Sequence, residues 1–143
     1  GIRDCMAAIR QLGCDRLLNH VLTVEKKPVL AICVGMQALM ARSEENEGVE
    51  CLGTIPGEVR YFGDQHRDAN GERLKVPHMG WNEVSPCESH PLWQDIPPRS
   101  RFYFVHSYHV VPNDPSVVAG TFEYGVTGCA ALPDVKVPFV GHL

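Results

Sequence analysis

The sequence predicts an α/β domain in which helices come early and a sheet with an antiparallel extension follows. Helical spacing of apolar residues occupies the start of the chain, and short β-type segments separated by turns begin near residue 57. The 143 residues, 44% of them hydrophobic, suffice for one buried core and leave little room for a second. We therefore expect residues 1–143 to form a single domain.

The early part predicts a helix, a strand and a second helix in that order. Apolar residues between Ile2 and Leu12 recur at helical spacing with charged residues between them, which indicates an amphipathic helix. The apolar run 28–33 is typical of a short strand buried on both faces. A tight turn and the strong helix formers of residues 36–42 follow it. The acidic stretch 44–48 ends in glycine and predicts an exposed loop.

The later part alternates β-type segments with turns. The richest segment in aromatic and β-branched residues, 101–110, is the strongest strand prediction. The residues around Trp93 predict one packed helical turn inside a loop-rich stretch. The segments expected as strands are 57–62, 75–84, 101–110, 117–124 and 129–132.

Charge and hydropathy exclude several classes of partner. Lys and Arg number 13 and Asp and Glu 17, a formal net charge of −4, with no basic tract for nucleic-acid phosphates or anionic lipid. No apolar run approaches the roughly 18 residues that span a bilayer, and the first residues do not resemble a signal peptide. We expect a cytoplasmic protein with a small-molecule substrate or a protein partner.

The six cysteines are scattered and form no CxxC pair, which argues against a zinc ribbon or a thioredoxin-type redox site. The histidines have no spacing typical of metal ligands, so no metal site is expected. Most of the cysteines are expected to be small buried apolar residues.

Cys33 has a different context from the other cysteines. It ends the predicted buried strand and is followed by Val34, Gly35 and a helix, the arrangement of a nucleophile elbow. The start of a helix favours the reactive thiolate, and the Val34 amide is placed to hold an oxyanion. The alternative is a buried core cysteine at a strand end.

Three stretches carry a family resemblance. They are PVLAICVGMQ at 28–37, KVPHMGWNEV at 75–84 and FYFVHSYHV at 102–110. The first resembles the nucleophile segment of class I (triad) glutamine amidotransferases. In this order and spacing the three resemble, within that family, the glutaminase subunits of imidazole glycerol phosphate synthases of histidine biosynthesis. The resemblance covers nearly the whole chain and implies a flavodoxin-like fold whose mixed, mostly parallel sheet is flanked by helices.

The resemblance also implies a chemistry. Cys33 would attack the carboxamide of L-glutamine, ammonia would leave, and water would release glutamate, with no cofactor. The residues implied in the glutamine pocket are Gly35, Gln37, Ser107, Tyr108 and His109.

A second implied surface contacts a cyclase partner with a (β/α)8-barrel fold, either a separate subunit in a heterodimer or fused in the same polypeptide, which receives the ammonia. Its residues are His78, Met79, Gly80, Trp81 and Asn82.

Structural explanations of the same residues remain open. Gln37 could face solvent, Ser107 could be an ordinary strand residue, and Trp81 could belong to the core. The histidines at positions 78, 106 and 109 could be structural or surface residues.

The family's general base comes from a Phe-His-Pro-Glu segment, and its oxyanion loop reads Pro-Gly-Val-Gly; the printed sequence contains neither. We therefore expect a fragment, truncated at both ends and inactive alone. His142 is an alternative candidate for the base. The remaining alternatives are another triad amidotransferase, serving pyridoxal phosphate, GMP or anthranilate synthesis, and a non-catalytic docking subunit.

Overall fold

The computed structural model describes the backbone of residues 1–87, 90–134 and 137–141, and side chains as far as residue 132. The helices are α1 (Ile2–Gln11), α2 (Cys14–Thr23) and α3 (Val34–Leu39). Single 3₁₀ turns lie at Glu45–Glu47, Pro91–Trp93 and Pro115–Val117. The first helix and the packed turn at Trp93 are confirmed.

Ten strands are present in the described part of the chain. They are β1 (Met40–Ser43), β2 (Val49–Glu50), β3 (Ile55–Tyr61), β4 (His78–Glu83), β5 (Ser85–Pro86), β6 (Arg101–His106), β7 (Tyr108–Pro112), β8 (Gly120–Glu123), β9 (Thr127–Asp134) and β10 (Val137–Gly141).

The strands form a mixed sheet of order β2-β1-β3-β7, an antiparallel sheet of order β10-β9-β8-β5, and the pair β4-β6. The α/β class with a mixed sheet is confirmed. The expectation of a mostly parallel sheet is wrong for the described residues, in which β1 and β3 run parallel and the other pairs are antiparallel. A short connection such as the one from β8 to β9 favours antiparallel neighbours, since a parallel pair needs a long crossover.

The main core lies between α3 and the mixed sheet. Met36 of α3, Val59 of β3 and Val110 of β7 are at most 1% exposed and belong to one apolar cluster. A second cluster surrounds Phe122 of β8, and a third packs Ile2 of α1 against Ala38 of α3. The core therefore fixes α3 directly over β7.

The predicted strand at 28–33 is not formed. Leu30 and Ile32 are 60% and 45% exposed, and the segment pairs with no strand in the described part of the chain. A strand exists only through hydrogen bonds to a neighbour, so an apolar run without a neighbouring strand stays extended and unpaired. The turn after it is present, because the Gly35 amide donates to the Ile32 carbonyl at 2.9 Å.

Three other predicted elements have different boundaries in the structure. The helix expected over 36–42 ends at Leu39, and β1 begins at Met40, because pairing with β2 and β3 outweighs helix propensity there. The strand expected over 101–110 is interrupted at Ser107, since β6 pairs with β4 whereas β7 pairs with β3. The expected strand at 117–124 is shorter, Gly120–Glu123.

Two of the six cysteines are buried, Cys51 and Cys129, and none is in a disulfide, so the expectation that most are buried is wrong. None of the helices described is both long and apolar enough to cross a membrane.

Candidate active site

Cys33 occupies a strained turn at the start of α3. Its φ and ψ are 52° and −114°, a conformation that residues with a side chain rarely adopt, and it is partly exposed. Such strain costs on the order of 1–3 kcal/mol and persists only where surrounding packing imposes it. The sharp turn predicted for Cys33 is therefore confirmed.

The neighbours of Cys33 meet the predicted geometry in part. Val34 is the first residue of α3, so its amide has no partner within the helix. Gly35 lies over Ala31, and an added Cβ would stand 3.5 Å from the Ala31 Cβ, an ordinary contact. A side chain at position 35 would therefore meet no steric conflict in the described residues.

Gln37 is buried and reaches β7. Its side chain is 6% exposed, and its Nε2 donates to the Tyr108 carbonyl oxygen at 3.4 Å. The solvent-facing alternative for Gln37 is wrong. The structure thus brings together two of the residues implied in the glutamine pocket.

The remaining pocket residues divide between two faces of the sheet. Ser107 lies at the interruption between β6 and β7, and the amide of Phe62 donates to its carbonyl at 3.1 Å. Tyr108 packs on the same core as Met36. The His109 side chain instead stacks on Phe62, with ring centroids 4.8 Å apart, because successive strand residues point to opposite faces.

The His109 imidazole also lines a separate cavity of about 450 Å³, and its Nδ1 is buried without a hydrogen-bond partner. The structure therefore does not bring this side chain to Gln37, and a contact of His109 with the same ligand would use its backbone.

A chain of hydrogen bonds runs from Tyr108 into β4. The Tyr108 carbonyl is 2.8 Å from His106 Nδ1, and His106 Nε2 is 3.0 Å from His78 Nδ1. His78 Nε2 is 3.4 Å from Asn82 Nδ2, which also donates to the Glu123 carbonyl at 2.8 Å. Within the described residues, no group of three His, Cys, Asp or Glu side chains is arranged to hold a metal ion.

The residues predicted to contact a partner alternate along β4. Met79 and Trp81 are 59% and 64% exposed, whereas His78 is 3% exposed. On β6, Val105 faces Met79 and Tyr103 faces Trp81, and both are about half exposed. We call Met79, Trp81, Tyr103 and Val105 the apolar strip; the core alternative for Trp81 is wrong.

Of the other residues predicted at that surface, Gly80 lies between Met79 and Trp81 in β4. His78 and Asn82 point inward, into the hydrogen-bond chain. His142 lies outside the described residues.

The family follows from a direct comparison. A model of "Glutamine amidotransferase class-I" matches residues 10–141. The chain belongs to the class-I glutamine amidotransferase family. Cys33 stands in this amidotransferase domain at the strained turn where a nucleophile would be presented.

Individual relatives are closely similar. "Imidazole glycerol phosphate synthase subunit HisH" of Pseudomonas putida is 58% identical over 133 residues, 93% of this chain and 61% of the relative. The HisH subunits of Acinetobacter baylyi and Nitrosococcus oceani are 48% and 47% identical to this chain. Each match covers 92% of the chain, and 60% and 59% of the respective relative. The chain spans about three fifths of the length of these curated relatives.

Sequence reasoning missed three residues of this amidotransferase domain that the structure singles out. Tyr103 and Val105 join the strip because β6 pairs with β4 in a register that no single segment reveals. The sequence predicts His106 only as a structural or surface histidine, whereas its ring contacts the Tyr108 carbonyl directly. The available signal is the period of two along a strand, which puts Tyr103 and Val105 on one face and Phe104 and His106 on the other, but the sequence does not say which strand pairs with it.

The buried histidines are held neutral. Burial, followed by the neighbouring His106 and His66, lowers the pKa of His78 to about 4 from its ordinary value of 6.5. Burial also lowers the pKa of His106, with the bond to the Tyr108 carbonyl acting in the opposite direction. The amidotransferase domain therefore folds around uncharged imidazoles.

Acidification should destabilise this domain before its carboxylates are fully protonated. The unfolded chain binds protons near pH 6.5 and folded His78 near pH 4, so stability is full above pH 6.5 and declines as the pH falls toward 4. Urea unfolding at pH 7.5, 6.5 and 5.5 measures the slope. We expect a shallower slope for His78→Gln and an unchanged one for Leu17→Ala, which truncates an exposed side chain that does not titrate. Equal slopes in all three proteins would contradict the assignment.

Proposed function

We propose that the whole protein is the glutaminase subunit of an imidazole glycerol phosphate synthase, and that it passes ammonia to a cyclase subunit with a (β/α)8-barrel fold. The observation that carries the proposal is the strained Cys33 at the start of α3 in a class-I amidotransferase domain. The bond from Gln37 to the Tyr108 carbonyl supports a substrate pocket beside that turn. The cytoplasmic location expected from the sequence belongs to the same proposal.

The reaction proceeds in two steps. The Cys33 thiol gives up its proton, and the thiolate sulfur attacks the carboxamide carbon of glutamine to form a C–S bond. The C–N bond then breaks, and the leaving nitrogen takes up the proton that the thiol lost and departs as ammonia. Water then attacks the thioester carbon, the C–S bond breaks, and glutamate and the thiol are released. The charge that develops on the carbonyl oxygen is stabilised by the Val34 amide, which has no partner within α3.

The pocket binds the amino-acid end of glutamine. Gly35 and Gln37 on α3 contact it from one side, and Ser107, Tyr108 and the backbone of His109 contact it from the other. Because α3 and β7 share one core, these groups keep a fixed spacing.

Covalent labelling tests the nucleophile. A diazoketone analogue of glutamine should alkylate Cys33 in the complete protein, and saturating glutamine should protect it; peptide mass spectrometry locates the adduct. Cys87 is the matched control, since it is exposed and should react slowly and without protection. Burial raises the pKa of the Cys129 thiol to about 12, so this thiol should stay unlabelled. Labelling of Cys87 and Cys33 at the same rate, with no protection, would overturn the proposal.

The apolar strip supports docking to the cyclase subunit. Four large side chains form a continuous exposed face on β4 and β6, and the Trp81 and Tyr103 rings meet edge to face at 5.6 Å. Exposed apolar faces of this kind are typical of protein interfaces, in which aromatic residues contribute most of the binding free energy.

Trp81→Ala should weaken this docking by about 2 kcal/mol, or roughly thirtyfold in Kd. Titration calorimetry with the cyclase subunit measures the change. Leu17→Ala is the control, because Leu17 is also 61% exposed but lies on α2, outside the strip. An unchanged Kd for Trp81→Ala would place the interface elsewhere, and purification with a different synthase subunit would favour another triad amidotransferase.

A further inference from the structure

The hydrogen-bond chain has a single consistent order of donors and acceptors. The Tyr108 carbonyl oxygen can only accept, so Gln37 Nε2 and His106 Nδ1 both donate to it, at 3.4 and 2.8 Å. These two donors occupy both of its lone pairs. The orientation of the Gln37 amide follows, because a flipped amide would place two acceptor oxygens against each other.

The next bonds fix the tautomers of both histidines. With its proton on Nδ1, neutral His106 has Nε2 as an acceptor, so His78 Nδ1 must donate to it at 3.0 Å. His78 Nε2 is then the acceptor for Asn82 Nδ2 at 3.4 Å. The Asn82 Oδ1 accepts from the Glu83 amide at 2.8 Å, which agrees with the amide orientation that this order requires.

Aromatic rings enclose the two histidines. His78 lies between Phe104 and Tyr124, stacked on both at centroid distances of 4.7 and 3.9 Å. The Phe62 ring meets His106 edge to face at 5.1 Å. His78, His106 and Gln37 are each at most 6% exposed. Water has little access, so each buried polar atom depends on its partner and each ring has one favourable orientation.

We propose that His106 is a positioning residue of the glutamine pocket, holding the Tyr108 carbonyl where it orients the Gln37 amide, and that His78 holds His106 in the tautomer this requires. The inference rests on the proposed glutaminase function, because it assigns Gln37 and Tyr108 to the substrate. His106 acts through the Tyr108 carbonyl, so its loss alters the binding of the amino-acid end of glutamine and leaves the chemistry at Cys33 intact.

Two amide substitutions separate positioning from packing. The amide nitrogen of asparagine stands near the place of an imidazole Nδ1, whereas that of glutamine stands near Nε2. His106→Asn therefore keeps a hydrogen-bond donor for the Tyr108 carbonyl. His106→Gln keeps a polar group that faces His78 but has no donor for the Tyr108 carbonyl.

The measurement is steady-state glutaminase kinetics of the complete protein assembled with its cyclase subunit. We expect His106→Gln to raise KM for glutamine about tenfold with kcat within about threefold of wild type, the pattern of lost uniform binding. His106→Asn should keep a KM near the wild-type value. Synthesis from added ammonia should be equal in all three proteins, since it does not use the pocket.

His78 provides the second comparison. His78→Leu removes the donor to His106 Nε2 and should also raise KM for glutamine. His78→Asn retains that donor, so its KM should stay near the wild-type value. His20→Leu, on the exposed face of α2, is the control and should leave KM unchanged.

Equal KM values in His106→Asn and His106→Gln would overturn the inference. A fall in thermal stability with KM unchanged would also overturn it, because the two histidines would then contribute only to packing of the core. Absence of glutaminase activity in the wild-type complex would instead overturn the proposed function, so the two failures are distinguishable.

Discussion

Cys33→Ala in the complete protein should reduce glutamine-dependent synthesis by at least about 10³-fold, because alanine removes the only atom that forms the thioester. Alanine keeps a Cβ, and the strain of the turn at φ 52° therefore stays as it is in the wild type. Folding and docking should be unaffected. Assays of the assembled synthase with glutamine or with ammonium salt as the nitrogen source measure the effect.

Ammonia-dependent synthesis distinguishes the catalytic role of Cys33 from a structural one. It should stay at the wild-type rate in Cys33→Ala, since ammonia bypasses the glutaminase step. Cys87→Ala, at an exposed cysteine, should retain both activities. Loss of both activities in Cys33→Ala would mean that Cys33 supports the fold rather than the reaction.

Phe122→Ala should lower the free energy of unfolding by about 3–5 kcal/mol, the usual cost of removing a buried aromatic ring. Phe122 is 1% exposed and lies at the centre of the second core cluster. Its ring centroid is 4.9 Å from that of Phe104 and 5.5 Å from that of His78, so a cavity there would loosen both strands of the β4-β6 pair. Urea unfolding of the complete protein measures the change.

Val126→Ala is the control for this prediction. Val126 is 37% exposed at the connection between β8 and β9, so its truncation should change stability by less than about 0.5 kcal/mol. A loss below about 1 kcal/mol in Phe122→Ala would contradict the central place of this ring in the core.

Local pattern predicted the elements whose stability is local. The amphipathic spacing from Ile2 and the β-branched, aromatic composition near residue 102 each describe one helix or one strand. The same reasoning failed at residues 28–33 and at Met40, because a strand depends on a neighbour that its own sequence does not specify.

The candidate site was predictable where it rests on a contiguous motif. Cys33, Val34 and Gly35 follow one another, and a strained turn at Cys33 was expected from those residues alone. The contribution of His106 was not predictable. His78 lies opposite it only through the register of the β4-β6 pair, and the His106 ring contacts the Tyr108 carbonyl where the chain changes partner strand at Ser107.

By itself the sequence determined the family, the nucleophile candidate and the segments that carry the pocket, because these depend on residue identity and short spacing. Only the tertiary structure decided which side chains meet. Strand register placed Tyr103 opposite Trp81 and Val105 opposite Met79. The shared core of α3 and β7 placed Gln37 against Tyr108. The physical reason is that strand pairing and burial each depend on two segments together, and the sequence of one segment does not specify where the other one lies.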